Sequence, residues 1–547
     1  MTALLTDNLP LLAGAPNGIK KLRELILELA VRGKLVPQDP NDEPASELLN
    51  LLMKEAGSAT GRGKGKKQAL PGISESEQPF ILPESWTWGR LGDVTEVLDS
   101  LRKPVTKQDR KPGPYPYYGA SGVVDYVSAY IFDEPLVLVG EDGAKWGAGE
   151  KTAFSISGKT WVNNHAHVLR PKRSVILDDY LVISLVAQDL SQFITGMTVP
   201  KLNQARLTSI GISLPPLAEQ HRIVAKVDEL MALCDRLEAR QADAESAHAQ
   251  LVQALLDSLT QAPDAADFAQ SWQRLAEHFH TLFTTESSID ALKQTLLQLA
   301  VMGKLVPQDP SDEPASELLK RIAEEKARLV KEGILRKQKS LPEVDEAEKP
   351  YALPLTWKWT RFDSVSNNRL GKMLDKAKNK GELRPYLRNT NVQWFKFELD
   401  DLKCMRFEEY ELDEYRVNPG DLVICEGGEP GRCAVWQGEV EDMFIQKALH
   451  RARPWLGISP FFLQFCLKAD AHSRFLDQFF TGATIKHFSG EKLAKYPVPL
   501  PPLAEQHRIV AKVDQLMALC DQLKARLSQA RQVHEQLANA LVEQAVA

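Results

Sequence analysis

"LPPLAEQHRIVAKVDELMALCDRL" occupies residues 214–237, and it returns at 500–523 with two changes, Glu229 to Gln515 and Arg236 to Gln522. Its apolar residues recur at helical spacing and continue well beyond the repeated phrase. With Ile223 as a d position, the a/d series is Val227, Leu230, Cys234, Leu237, Gln241, Ala244, His248, Leu251 and Leu255. With Ile509 it is Val513, Leu516, Cys520, Leu523, Leu527, Ala530, His534, Leu537 and Leu541. About six heptads in each copy indicate coiled-coil helices rather than surface helices, and the obvious partner for each seam is the other copy. A helix of about 40 residues reaches roughly 60 Å. Tandem copies related by a pseudo-two-fold axis would run antiparallel and hold two domains well apart. His248 and His534 share one seam position, as do Cys234 and Cys520; they are read as register-setting residues, not metal ligands.

A second phrase is also duplicated. "AVRGKLVPQDPNDEPASELL" at 30–49 returns at 300–319, changed only at Arg32/Met302 and Asn41/Ser311. The first phrase repeats at an offset of 286 and this one at 270, so the stretch between the phrases is 16 residues longer in the second half. The two inserts are nearly unrelated in sequence. Before this phrase, "IKKLRELILELAVRGKL" places Ile19, Leu22, Leu25, Ile26 and Leu29 on one helical face, and Gly33 is suited to end it. Pro44 and Pro314 can open a second helix at a first-turn position, which in the second copy is expected to run to about residue 338. The inserts begin at Leu82-Pro83 and Leu353-Pro354. They carry short β-like runs such as "PLVLVGEDG" (135–143), "TWVNNHAHVL" (160–169), "GDLVICEGG" (420–428) and "CAVWQGEV" (433–440). The expected architecture is α+β: two mixed, β-rich insert domains joined by two long antiparallel coiled-coil helices in a pseudo-two-fold tandem repeat. The expected boundaries are a repeated helical region at 1–78, the first insert at 79–213, a coiled-coil helix at 214–262, a bridge and second helical region at 263–350, the second insert at 351–499 and the second coiled-coil helix at 500–547.

At 547 residues the chain has length for three or four domains, and a formal charge of −6 argues against a uniformly basic surface. Local clusters matter more. Arg102, Lys103, Lys107, Arg110 and Lys111 stand against Asp109 alone, and Arg369 to Arg388 carries seven cations against two acids. A single charge run reads as a solvated face; two at matching depth in a duplicated unit favour nucleic acid. The six cysteines form no CxxC pair, so buried reduced thiols are expected and structural zinc is not. No apolar run approaches a membrane span and the N-terminus lacks a basic signal start, so the location is expected to be cytoplasmic. There is no GxxxxGK[ST] and no Asn/Asp-Pro-Pro-aromatic tetrapeptide; Glu324-Glu325-Lys326 fits a nuclease E-x-K but sits on a charged helix without a companion Asp.

Two variable domains alternating with repeated segments resemble the specificity subunit of type I restriction-modification systems. The resemblance rests on "PLPPLAEQHRIVAKVD" leading into a long helix, "YPYYGASGVVDYV" (115–127), "VLVGEDGA" (137–144) and "WVNNHAHVL" (161–169). The "GKLVPQDP" frame looks closest to the IB-like subgroup. The resemblance implies that each insert is a target recognition domain reading half of a split, asymmetric double-stranded DNA site, with the helices fixing the spacer. It implies docking of two modification subunits, which methylate adenine, and two restriction subunits, which translocate and cleave. S-adenosylmethionine, ATP and Mg2+ would belong to those partners, leaving this chain without cofactor, metal or catalytic residues. The alternatives are a non-restriction DNA-binding regulator and a coiled-coil interaction scaffold.

Under this reading, phosphate contacts supply affinity and base edges supply specificity. The candidate DNA-binding residues of the first insert are Arg102, Lys103, Lys107, Tyr118, Ser121, Lys145, Asn163, Asn164, His165 and Lys201. Those of the second are Arg369, Lys372, Lys376, Arg388, Asn389, Asn391, Arg432, Gln446, Lys447 and His487. The bland alternative for "WVNNHAHVL" is a buried strand with a satisfied histidine. Asp39, Pro40, Glu43 and Leu48, with their copies Asp309, Pro310, Glu313 and Leu318, are candidate partner contacts, because equal surfaces repeated twice suit two copies of one partner. Alternatively, these segments pack on the ends of the long helices.

Overall fold

In the computed structural model, the described residues are 10–59, 72–196, 198–263, 265–336, 340–375 and 377–546. Contacts divide the chain into two compact units, residues 1–245 with 529–547, and residues 246–528. The long helices Leu217–Thr260 and Leu503–Val546 are each 44 residues, and each contributes to both units.

In the first unit, the helix Gly18–Val31 buries Leu22, Leu25, Ile26 and Leu29. It packs against Ile223, Val227 and Cys234 of the first long helix and against Ala538 and Ala545 at the end of the second. Salt links follow the same two contacts: Arg23 Nη2 meets Asp235 at 2.6 Å and Glu238 at 2.8 Å, and Lys21 Nζ meets Glu535 at 3.1 Å. In the second unit, the helix Glu286–Val301 packs in one core with Val252, Leu256 and Leu259 and with Cys520.

The expected seams run into this packing with one change of phase. Ile223, Val227 and Cys234 are buried as the heptad requires. Further along, Val252 is buried while Leu251, the heptad position, is 53% exposed; in the other helix Ala538 is buried and Leu537 is 47% exposed. Val252 and Ala538 each lie 18 residues beyond the buried cysteine, which is five turns at 3.6 residues per turn. A heptad series keeps a 3.5 period only if the helix supercoils, and a straight helix drifts off it by about 20° per heptad. Gln241 and Ala244, expected in the seam, are exposed. His248 Nε2 donates to Thr281 O at 3.2 Å and His534 Nε2 to Leu11 O at 2.8 Å, so each ring ties down the chain before a repeat helix.

The duplicated phrases meet in a lock that each unit builds for itself. Gln38 Nε2 and Trp86 Nε1 donate to the two oxygens of Glu219 at 2.6 and 3.0 Å. Gln308 and Trp357 do the same to Glu505 at the same distances. Arg222 pairs with Asp42, and Arg508 with Asp312, both at 2.6 Å. Burial pushes the pKa of Glu219 and of Glu505 up, against the pull of these donors. Gly33 (φ +69°) and Gly303 (φ +72°) end the helices in the left-handed region, and a Cβ at either would lie 2.6 Å from Cγ of Pro83 or Pro354. This explains why the Leu-Pro…Trp cue recurs at both insert starts. Pro314 takes the N-cap rather than the first turn of its helix, which ends at Lys331 rather than near 338 because Gly333 (φ +75°) stops it.

Both inserts share the strand order of one four-stranded sheet, while the second sheet has four strands in the first insert and three in the second. A four-stranded antiparallel sheet runs Thr95–Val97, Ala166–Pro171, Leu136–Gly140, Ala153–Ile156 in the first. The second has Ser366–Leu370, Leu449–Pro454, Leu422–Cys425, Cys433–Val435 in the same order. In each, a two-stranded ribbon joins the insert's two ends, Thr87–Arg90 with Gly211–Leu214 and Lys358–Arg361 with Pro497–Leu500. Among the described residues no helix is long and apolar enough to cross a membrane.

Candidate nucleic-acid interface

The strand Leu136–Gly140 is buried throughout, and the chain leaves it through Glu141. Glu141 N donates to His165 O at 2.8 Å, and Glu141 O accepts from Leu202 N at 2.8 Å. Two loops are thereby stitched to the end of the strand. The carboxylate accepts from Arg102 Nη1 and, at 2.8 Å, pairs with Lys201 Nζ. Burial pushes the Glu141 carboxyl up, but the bonds from Lys201 and Arg102 outweigh it and hold the pKa below the usual range. His167, buried beneath, faces Asp99 Oδ2 at 2.5 Å through Nδ1 and Leu202 O at 2.7 Å through Nε2. Asp99, Glu141 and His167 lie close enough to hold a cation. Their polar atoms are already committed to Arg102, Lys201 and Leu202, so the cluster is an internal ion network.

The second insert repeats this arch. Glu426 N donates to Ala448 O at 2.8 Å, Phe488 N donates to Glu426 O at 2.7 Å, and His450 Nε2 donates to Phe488 O at 2.8 Å. His487 Nδ1 meets Glu426 Oε2 at 3.1 Å, in the place that Lys201 takes. The loops before these residues close identically: Thr195 and Lys201 exchange backbone bonds at 2.9 and 2.8 Å, and so do Thr481 and His487. Lys103 N reaches Val162 O at 3.4 Å, matched by Lys372 N to Ile445 O at 3.0 Å. Inserts with almost no sequence in common therefore hold the same scaffold, made largely of backbone bonds. Glu141, Glu426, His167 and His450 were missed by the sequence reading; the faint signal was "GEDG" and "CEGG" directly after an apolar strand.

The candidate residues divide into outward and inward groups. Lys103, Lys107, Ser121, Lys145, Asn164 and His165 are exposed, and Lys201 is half-exposed at the rim. Tyr118 is half-buried beside Phe154, with ring centroids 5.9 Å apart, and burial raises its pKa. Arg102 is a correction. Its side chain is 12% exposed and spent on Asp99, Glu141 and the carbonyl of Ala166, because two buried carboxylates need it. Asn163 is also inward: buried, it accepts from His165 N at 2.8 Å and shapes the turn.

In the second insert Arg369 is exposed and paired with Glu414, Lys447 is exposed, and Gln446 and His487 are half-buried at the rim. Lys372 is buried between Glu408 and Glu411; burial opposes its charge, and the two carboxylates outweigh it and raise its pKa. Asn391 is buried, closing a turn with Arg388 N at 3.0 Å and Glu398 O at 2.9 Å. Arg388 reaches Asp401 at 2.8 Å, and Arg432 is held by Glu429 and the Asn389 carbonyl, both at 2.9 Å. Lys372, Asn391 and Arg432 are thus structural, since each satisfies buried acceptors or donors. Asn389 leans on Gly427 O at 3.4 Å. Lys376 lies outside the described residues.

In the repeated turns Asp39, Pro40 and Glu43 are exposed, as are Asp309, Pro310 and Glu313. Leu48 is half-buried, but Leu318 is fully buried in the core of its unit and offers no surface. The E-x-K residues are dispersed, with Glu325 on Arg328 and Lys326 on the Asp363 carbonyl.

The family described as the type I restriction modification DNA specificity domain matches residues 83–245 and 354–530, one segment per insert with its helix. This chain belongs to that family. The type I restriction enzyme EcoEI specificity subunit of Escherichia coli is 37% identical over 97% of this chain and 94% of its own length. The EcoAI specificity subunit of Escherichia coli is 37% identical over the same shares of the two chains. A chain from a structure of a type I restriction-modification system aligns at 18% identity over 86% of this chain and 99% of that one, with a TM-score of 0.48. The protein is thus a type I specificity subunit, the non-catalytic DNA-recognition component. Specificity subunits of this kind assemble with other subunits and with DNA.

Proposed function

We propose that each insert reads one half of a bipartite, asymmetric double-stranded DNA site, and that the two long helices set the spacer. The observation that carries this is the arch built twice with different side chains on its rim: one scaffold serving two readers. The exposed Lys103, Lys107 and Lys145 with Lys201 supply phosphate contacts in the first domain, and Arg369, Lys447 and His487 do so in the second. Asn164, His165 and Ser121, and Asn389 and Gln446, are then the groups that meet base edges.

The exposed turns around Asp39, Pro40 and Glu43 and around Asp309, Pro310 and Glu313 each dock one modification subunit, two in all, and two restriction subunits join that assembly. S-adenosylmethionine, ATP and Mg2+ are then held by those partners, and the complex works in the cytoplasm. The test is co-expression with the modification subunit and mapping of methyladenine across the host genome. A bipartite methylated motif is expected, and replacing residues 83–213 by another family member's insert changes one half-site only. An assembled complex without such a motif refutes the reading, and so does a swap that changes both halves.

A further inference from the structure

Besides the exchange of Lys201 for His487, the rim of the arch differs between the two domains at a pair of positions that face each other in the first. In the first domain they hold Asp142 and His165; in the second the corresponding places are Gly427 and Ala448, fixed by the shared bonds of Glu141 and Glu426. His165 stands on the turn between the strands Lys159–Val162 and Ala166–Pro171, with its side chain 52% exposed. Buried Asn163 accepts its backbone N–H, which fixes the turn. Asp142 is itself placed by the backbone bridge to Lys201, and its Oδ1 lies against His165 Nδ1.

A carboxylate can only accept, so the hydrogen-bond pattern assigns the ring proton to Nδ1. In the neutral imidazole the outward nitrogen, Nε2, is then an acceptor. An acceptor held rigidly at a rim selects donors. In the major groove the base-edge donors are the exocyclic amino groups, N6 of adenine and N4 of cytosine. Guanine O6 and N7 and thymine O4 are acceptors, and facing Nε2 they would leave two lone pairs opposed.

We propose that His165, oriented by Asp142, reads the exocyclic amino group of an adenine or cytosine at one position of the first half-site. This rests on the half-site reading above. Asp142 is a positioning residue, acting through the tautomer it imposes. The second domain, with Gly427 and Ala448 at these places, has no such device and reads its half-site with other groups.

The experiment is methyladenine mapping with the full specificity subunit co-expressed with the modification subunit, as wild type, His165→Ala and Asp142→Asn. Absence of any bipartite motif in the wild type would refute the half-site reading itself. With that motif present, His165→Ala is expected to lower discrimination at one adenine- or cytosine-specific position by about tenfold, the low end for a base contact, leaving the second half-site unchanged. Asp142→Asn is nearly isosteric, and its amide can either donate to Nδ1 or accept from it, so the ring proton is no longer confined to Nδ1. That variant is expected to relax the same position, admitting guanine or thymine beside adenine or cytosine. The inference is overturned if His165→Ala leaves every position as specific as before. Methylation lowered uniformly over all sites would make His165 a phosphate contact and overturn it too, as would an Asp142→Asn motif identical to wild type. Co-purification of each variant with the modification subunit, and an intact second half-site, separate these outcomes from misfolding.

Discussion

Replacing Arg102 by alanine tests whether a cation in a basic cluster serves the DNA or the fold. The guanidinium is 12% exposed and lies between Asp99 and Glu141, whose side chains are 10% and 9% exposed. It also donates to the carbonyl of Ala166 at 2.7 Å. Removing one partner of a buried ion pair costs about 3–5 kcal/mol, because the other charge stays buried without compensation. Here Lys201 still holds Glu141 and His167 still faces Asp99, so the low end applies. A loss of about 3 kcal/mol corresponds to roughly 150-fold weaker protection of the first domain's central strands against hydrogen exchange. The affected amides are those of Leu136–Gly140 and Ala166–Pro171, which Glu141 and Arg102 tie together.

The neighbouring Lys103 is exposed, so Lys103→Ala should leave exchange unchanged and instead reduce the slope of log affinity against log salt. One lost phosphate contact lowers that slope by about 0.9. Arg102→Ala, measured on the residual folded complex, should keep the wild-type slope. The reasoning is refuted if Arg102→Ala leaves exchange protection intact and lowers the salt slope, since that is the signature of a cation reaching DNA.

Three further outcomes follow from the frame and the second domain. Trp357→Phe removes the donor to Glu505 Oε2 and should cost about 1–3 kcal/mol in urea unfolding of the second unit. The loss should be larger at pH 8 than at pH 5, because protonating Glu505 relieves it, and a loss independent of pH would contradict the buried-carboxylate account. Asp470, half-buried beneath the Tyr496 hydroxyl, has its pKa pushed from 3.8 up to about 7 by desolvation, against the pull of that hydrogen bond. A raised folded pKa means stability is greatest below the unfolded value and lost as pH rises through the folded one. Unfolding free energy should therefore fall by up to about 1.4 kcal/mol per pH unit between pH 4 and 7, and Asp470→Asn should flatten that profile. Gly303→Ala must hold a left-handed residue at φ +72° with its Cβ 2.6 Å from Pro354 Cγ. It should destabilise by at least the ~1–2 kcal/mol of the conformation alone, and an unchanged urea midpoint would show that the turn relaxes freely.

How much of this was legible depended on the distance over which each feature is encoded. The helix Gly18–Val31 and its stop at Gly33 follow from local periodicity and one glycine, and a reader of sequence sees both. The seam was legible for its first three turns and lost phase by Leu251 and Leu537, since apolar spacing does not reveal whether a helix supercoils. The candidate interface was legible by segment: Arg102, Asn163, His165 and Lys201, from three separate stretches of sequence, are joined through Glu141 in one arch. The role of each side chain within those segments was not.

By itself the sequence determined the duplicated frame, its long helices, the β-rich inserts and the family, because all of these are written in local pattern and near-identical repeats. Only the tertiary structure decided which charges face outward. Arg102 and Lys103 are adjacent and look alike in the sequence, but one is spent on Glu141, which is 39 residues away, and the other is exposed. Tertiary structure alone also disclosed that the two inserts are one scaffold. The bonds from Glu141 and Glu426 that build the arch use backbone N–H and C=O groups, which every residue type except proline supplies in full. Such a scaffold can persist while nearly every side chain around it changes.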